Sequence, residues 1–192
     1  MAKFIKLVIE GQEARNKILA GMNIAANATA STLGPRSRNV AIDMNSGQDI
    51  APKIIHDGVS VLRSINLPDP LEDMGVRLLK EAGIGTNLTV GDGTTTSTIL
   101  AQALINEAFK NIVAGANPMK LKAEIEEASR KVISELKKMA KPIKTDEEME
   151  QVASISAADP IIGKLIAEAI KKIGKDGIIS VEDGTGFETT VT

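Results

Sequence analysis

Three Asx-Pro pairs, Asp69-Pro70, Asn117-Pro118 and Asp159-Pro160, each stand at the head of an apolar run spaced at helical intervals. An Asx side chain accepts from the first free N–H groups of a helix. Proline just inside the start has no N–H to leave unpaired and a φ already suited to the turn. Leu71, Met74, Leu78, Leu79 and Ala82 follow the first pair. Leu121, Ile125, Ala128, Val132, Leu136 and Met139 follow the second, and Ile162, Leu165, Ile166, Ala169, Ile170 and Ile173 the third. Two more segments share this period. One is alanine-rich, runs from Glu13 to about Thr32 with Ile18, Leu19, Met22, Ala25 and Ala26 on one side, and is stopped by Leu33-Gly34-Pro35-Arg36. The other begins near Thr98 with Ile99, Leu100, Ala103, Leu104, Ala108, Phe109, Ile112 and Val113, and ends at Gly115. Lys137, Lys138 and Lys141 close the Asn117 segment before Pro142, as a helix dipole favours, and a short acidic helix spans Asp146 to about Ala153.

The β signals are short. Phe4–Glu10 reads as a strand, Asn39–Met44 and Ile50–Ile55 as a hairpin about Gly47, and Asp57-Gly58 as a turn. After a turn at Lys175-Asp176-Gly177, Ile178–Val181 reads as a further strand. The expected class is therefore mainly α with small β elements. Glu188–Thr192 is strand-like with no evident partner, which points to a piece of a longer protein.

Hydrophobic residues make up 43% and charged residues 25%, the balance of an ordinary globular chain. Three Phe with no Tyr or Trp leave few rings to stack on bases, and a net charge of −2 gives no pull on a polyanion, so nucleic acid is not expected as a partner. The absence of cysteine excludes disulfides, thiolate nucleophiles and thiolate-bound metals. The N-terminal apolar run is too short for a secretory signal and no run reaches a membrane span, so a soluble cytoplasmic protein with no membrane contact is expected.

Three glycine-containing turns hold the chemistry. Thr32-Leu33-Gly34-Pro35 is on its face a helix stop; it also lets the backbone approach a phosphate and exposes carbonyls to a cation. His56-Asp57-Gly58 is on its face a turn at a strand end. It also offers Asp57 as a carboxylate to orient water, while His56 has no second imidazole nearby for a metal. Gly91-Asp92-Gly93-Thr94-Thr95-Thr96 makes a good helix start, yet three successive threonines are poor helix formers. Phosphate-facing hydroxyls, free N–H groups and one hard oxygen ligand suit a nucleotide with its magnesium ion. No Gly-Lys-Thr follows, so this is not a P-loop of the Walker type.

Taken in order with their neighbours, these turns resemble the bacterial-type (group I) chaperonins, the GroEL-like heat-shock proteins. The resemblance runs through Thr32-Leu33-Gly34-Pro35, Arg38-Asn39-Val40, Asp57-Gly58-Val59-Ser60-Val61, Glu72-Asp73-Met74-Gly75 and Gly91 to Thr96. It continues in Leu100-Ala101-Gln102-Ala103, Ala114-Gly115-Ala116-Asn117-Pro118-Met119 and Val181-Glu182-Asp183-Gly184-Thr185-Gly186. It implies the N-terminal half of a multihelical equatorial, ATP-binding domain over residues 1–140, then the first part of an α+β intermediate domain over 141–192. The substrate-binding apical domain would lie beyond Thr192.

The resemblance also implies roles. Asp92 stands at the magnesium ligand, and Gly93, Thr94, Thr95 and Thr96 at the phosphate-binding helix start. Thr32, Leu33, Gly34 and Pro35 stand at the loop around the nucleotide, with Thr32 near a potassium site, and Asp57 at the carboxylate that orients the attacking water. ATP or ADP, Mg2+ and K+ are the implied cofactors. A homo-oligomeric ring, non-native client proteins and a co-chaperonin are the implied partners, the last two through the apical domain. The family's second catalytic carboxylate and its adenine-contacting carboxylate come from later positions, so this segment alone is expected to turn over ATP poorly.

Some positions depart from the pattern. Arg36 replaces a usual Lys and keeps the charge; His56, at a nucleotide-binding position beside Asp57, replaces a usual Lys and loses a permanent charge near the γ-phosphate. Gly83 to Val90 is more apolar and more flexible than the family's polar run, and the hairpin is longer at Asn45 to Ile50. Two other readings stay open: a non-catalytic helical ring-assembly module, and a small phosphate-binding regulator.

Overall fold

The computed structural model describes residues 8–34, 36–43, 51–174 and 177–182. In chain order the elements are α1 (Gly11–Ala30), β1 (Val40–Ile42), β2 (Lys53–Ile55), α2 (Gly58–Ser64), α3 (Pro70–Val90), α4 (Thr94–Val113), α5 (Pro118–Met139), α6 (Asp146–Ala157) and α7 (Pro160–Ile173). Each expected helix forms. Asp69 accepts from the N–H groups of Leu71 and Glu72, Asn117 from those of Met119 and Lys120, and Asp159 from those of Ile161 and Ile162. At α6, Thr145 and Glu148 bond each other's backbone N–H groups in a reciprocal cap.

The chain forms two compact units, up to Glu124 and from Ile125 onward, and the division falls inside α5. In the first, α1, α2, α3 and α4 enclose a core of Met22, Ala25, Ala26, Leu62, Val76 and Leu79, with Ile18, Ile65, Leu67, Ala101 and Ile105 packed around it. Removing a Leu or Val side chain from water contributes about 1.5–3 kcal/mol each. Gly21 and Gly75 decide how closely α1 and α3 approach. A β-carbon on Gly21 would run into the Glu72 carbonyl, and one on Gly75 into that of Ile18.

A second seam joins α1 to α4. Gln102 Nε2 donates to Asn23 Oδ1 at 2.8 Å and to Asn27 Oδ1 at 3.0 Å. Asn106 Nδ2 donates to Asn23 Oδ1 at 2.9 Å, and Asn23 Nδ2 returns a bond to Asn106 Oδ1 at 3.2 Å. These pairs run antiparallel and set the register of the two helices. In the second unit α6 packs on α7, where Gly163 is buried hard against Ser154 and Lys171 Nζ meets Asp146 Oδ2 at 2.7 Å.

Several sequence-based expectations change. The Asp57-Gly58 turn opens directly into α2, which β-branched Val59 and Val61 disguise. Burial of Val61 and Leu62 holds this helix instead of propensity. Gly83 to Val90 is not a loosened stretch but the end of α3. Buried Gly83 lets Leu62 and Thr98 pack against the helix backbone, and the Thr86 and Thr89 hydroxyls donate to the carbonyls four residues back. On α4 the inward ridge is Thr94, Thr98, Ala101 and Ile105, while Leu100 and Leu104 stay exposed. The α5 stripe forms, yet none of its residues is buried.

Ile178–Val181 pairs with no strand among the described residues; its backbone has no ladder partner there. Val40–Ile42 and Lys53–Ile55 make the expected hairpin, antiparallel with Val40 opposite Ile55. Its turn at 44–50 lies outside the described residues, as do residues 4–7 of the expected N-terminal strand, Pro35, residues 175–176 of the expected turn and the strand-like stretch 188–192. Val8 to Glu10 form no strand.

Candidate functional site

Three segments far apart in sequence meet at one point. α1 ends in turn bonds from Thr32 N–H to the Thr29 carbonyl (3.0 Å) and Leu33 N–H to that of Ala30 (3.1 Å), which hold Thr32 beside the helix end. Its hydroxyl donates to the Thr29 carbonyl at 2.7 Å and lies 3.0 Å from the Thr95 hydroxyl at the start of α4. Gly58, the first residue of α2, is buried against both. A β-carbon there would collide with Thr95 Oγ1 and lie 3.0 Å from Thr32 Oγ1. Glycine at 58 is thus a requirement of the meeting and not merely of the turn. From the sequence Gly58 reads only as part of an Asp-Gly turn, with no role of its own in the site.

The α3–α4 junction is built from glycines at positive φ. Gly91 (φ 81) ends α3, and Gly93 (φ 82) starts α4 without any side-chain cap. Left-handed backbone suits glycine because no β-carbon crowds the carbonyl. The first N–H groups of α4 thus have no side-chain cap, and the positive end of the helix dipole lies at this start. Asp92, between the glycines, is exposed, and its Oδ1 accepts from Gly93 N–H at 2.6 Å. Of the three threonines, Thr94 is 7% exposed and packs inward, Thr95 is half-buried at the meeting point, and Thr96 is exposed. The hydroxyl of the inward-packed Thr94 is thus not an outward-facing one.

Asp57 caps α2. Its carboxylate accepts from Val59 N–H (3.4 Å), Ser60 N–H (2.9 Å) and Ser60 Oγ (2.7 Å). His56 is exposed beside it, as are Leu33 and Gly34 on the other rim. The far end of α2 is clamped from α3: Lys80 Nζ donates to the carbonyls of Arg63 (3.0 Å) and Ile65 (2.6 Å). Burial pushes the Lys80 ammonium below its ordinary pKa, against the opposing pull of Asp73. The α2 helix is thereby held at both of its ends.

Among the described residues no three His, Cys, Asp or Glu side chains converge to hold a metal by themselves. The donor set fits a polyphosphate carrying its own cation better than a protein-only metal cage. A magnesium ion usually takes one or two carboxylates and completes its shell with phosphate oxygens and water. Asp92 supplies such a carboxylate next to an uncapped helix start.

A family model described as the TCP-1/cpn60 chaperonin family matches residues 25–189. Two crystal forms of the chaperonin gp146 from the bacteriophage EL 2 (Pseudomonas aeruginosa), both in the presence of ATP-BeFx, are similar in structure. One has a TM-score of 0.77 at 28% identity over 94% of this chain, the other 0.74 at 26% identity over 95%. The chain spans 32% of the length of those chaperonin chains. No helix among the described residues is long and apolar enough to cross a membrane.

Proposed function

Because this chain belongs to the TCP-1/cpn60 chaperonin family, we propose that it forms the phosphate and magnesium end of the ATP site in a ring-forming, protein-folding chaperonin subunit. The observation that carries this reading is the convergence of Thr32, Gly58 and Thr95 beside the uncapped start of α4. The presence of ATP-BeFx in the gp146 crystals supports it. Asp92 would hold magnesium on the phosphate oxygens, and the N–H groups of Thr94, Thr95 and Thr96 would bind the phosphates. Thr32, Leu33, Gly34 and Pro35 would wrap the nucleotide, with Thr32 near a potassium ion. Asp57 would orient the attacking water.

The bound ion would neutralise phosphate charge; the chain's own contribution is positioning. Turnover would drive client encapsulation and release in the whole subunit. Residues 1–140 would be the equatorial part and 141–192 the intermediate part.

The competing reading, a non-catalytic ring-assembly module, draws on His56 and on Asp57 being taken up by the α2 cap. Calorimetric titration with Mg-ADP separates the two. A saturable site that Asp92→Ala weakens by about tenfold or more, ~1.4 kcal/mol, supports the nucleotide reading. A chain that folds but shows no saturable binding supports the assembly module.

A further inference from the structure

The chain contains four Asp-Gly pairs, at 57–58, 92–93, 176–177 and 183–184. Such pairs share one chemical weakness, because glycine has no β-carbon to shield its nitrogen from the preceding aspartate side chain. The two pairs within the described residues are held in opposite ways. We propose that Asp92 is a site of spontaneous conversion to isoaspartate, and that the fold exempts Asp57.

At Asp92 the geometry favours ring closure. The Gly93 nitrogen lies 2.6 Å from Asp92 Oδ1, so the carboxyl carbon is one bond from that contact. Holding the attacking nitrogen and the carboxyl group in contact raises an intramolecular rate. The flanks leave room for the backbone to pucker. A β-carbon at Gly91 would meet nothing within 4 Å, and one at Gly93 only Thr86 Cγ2 at 3.9 Å. Asp92 is exposed, so water can leave and return.

At Asp57 the carboxylate is engaged by other donors and the glycine is enclosed. The carboxylate accepts from Val59 N–H, Ser60 N–H and the Ser60 hydroxyl, which hold it in the α2 cap. Gly58 is buried in the first turn of α2 with Thr95 and Thr32 against it, so its backbone has no space to rearrange.

The reaction needs no further reagent. The Gly93 nitrogen, losing its proton, bonds to Asp92 Cγ, and the carboxyl hydroxyl leaves as water. The resulting five-membered succinimide then takes up one water. Opening at the side-chain carbonyl restores aspartate; opening at the backbone carbonyl yields isoaspartate. That product lengthens the main chain by a methylene at the α3–α4 junction and moves the carboxylate relative to the start of α4.

The test ages the whole chain at neutral pH and physiological temperature and quantifies isoaspartate at each Asp-Gly pair by peptide mapping with electron-transfer fragmentation. In native buffer Asp92 should convert at least about tenfold faster than Asp57, and in concentrated guanidinium the two rates should approach one another. Equal rates in native buffer, faster conversion at Asp57, or a ratio that guanidinium leaves unchanged would each overturn the proposal. Asp92→Glu, whose cyclisation requires a slower six-membered ring, should remove the signal from that peptide; persistence would also count against it. The readout is covalent and needs no nucleotide, so it can fail or succeed independently of the ATP-site reading.

Discussion

From Gly11 to Val113 the helices meet at Gly21, Gly75 and Gly83 and close over Val61, Leu62, Val76 and Leu79, each at most 1% exposed. From Ile125 onward, Gly163 is the one buried position among the described residues. Yet the second region carries the stronger local helix signals. It has the reciprocal cap at Thr145 and Glu148, the Asp159-Pro160 start, and lysines in the last turns of α5 and α7. The first unit starts α1 and α4 with no side-chain cap at all. Local signals specify where a helix begins and ends, whereas packing supplies most of its stability. Val132, Leu136 and Met139 on α5 show the difference: their spacing is that of a core face, and all three are more than half exposed.

Native-state hydrogen exchange gives the largest contrast. Amides in the middle of α1 and α3 should open only with global unfolding of the first unit, and those of α6 and α7 should exchange at least about a hundredfold faster. Similar protection in both regions would break the comparison.

A smaller effect sharpens it. Leu79→Ala should lower the unfolding free energy of the first unit by about 2–5 kcal/mol in urea titrations. Ile166→Ala, truncating a half-buried side chain on α7, should cost about 1 kcal/mol or less. Equal losses would mean that the difference in burial has no energetic counterpart.

The smallest effect is in pH dependence, with carboxylates in both units losing their contribution as pH falls. Glu148 accepts from the N–H groups of Lys144 and Thr145, which hold its pKa below the ordinary value. Its contribution is therefore complete above the ordinary carboxylate range and is lost as pH falls through the lowered value. In the first unit, Lys17 Nζ meets Asp69 Oδ2 at 2.7 Å; that bond raises the lysine and, with the N–H groups of Leu71 and Glu72, lowers the aspartate. That pair weakens on the acid side as Asp69 protonates, and on the alkaline side as pH passes through the raised pKa of Lys17. Circular dichroism should show Glu148→Gln flattening the acid limb of the second unit, and Lys17→Met flattening the alkaline limb of the first. Unchanged limbs would show that neither group is linked to folding.

Part of the site was legible because its signals are local. Thr32-Leu33-Gly34-Pro35, Asp57-Gly58 and Gly91 to Thr96 each announce a turn or helix start within a few residues. Their order carries the family resemblance, and the family match confirms it. What stayed hidden depends on partners distant in the chain. α2 has weak propensity and persists through buried Val61 and Leu62. The end of α3 looks loose until Gly83 is seen as the place where Leu62 and Thr98 pack. The amides of Asn23, Asn27, Gln102 and Asn106 read as ordinary polar residues until α1 and α4 lie side by side.

By itself, the sequence determined the helix starts and stops, the mainly α class and the residue types able to face a phosphate, since caps, turns and periodicity act over one or two turns of chain. Tertiary structure alone decided that Thr32, Gly58 and Thr95 share one point and that Thr94 turns inward. It also decided that two identical Asp-Gly pairs face opposite chemical fates. Each of those outcomes depends on how closely helix backbones approach, and that distance is set by which positions lack a β-carbon where the helices cross.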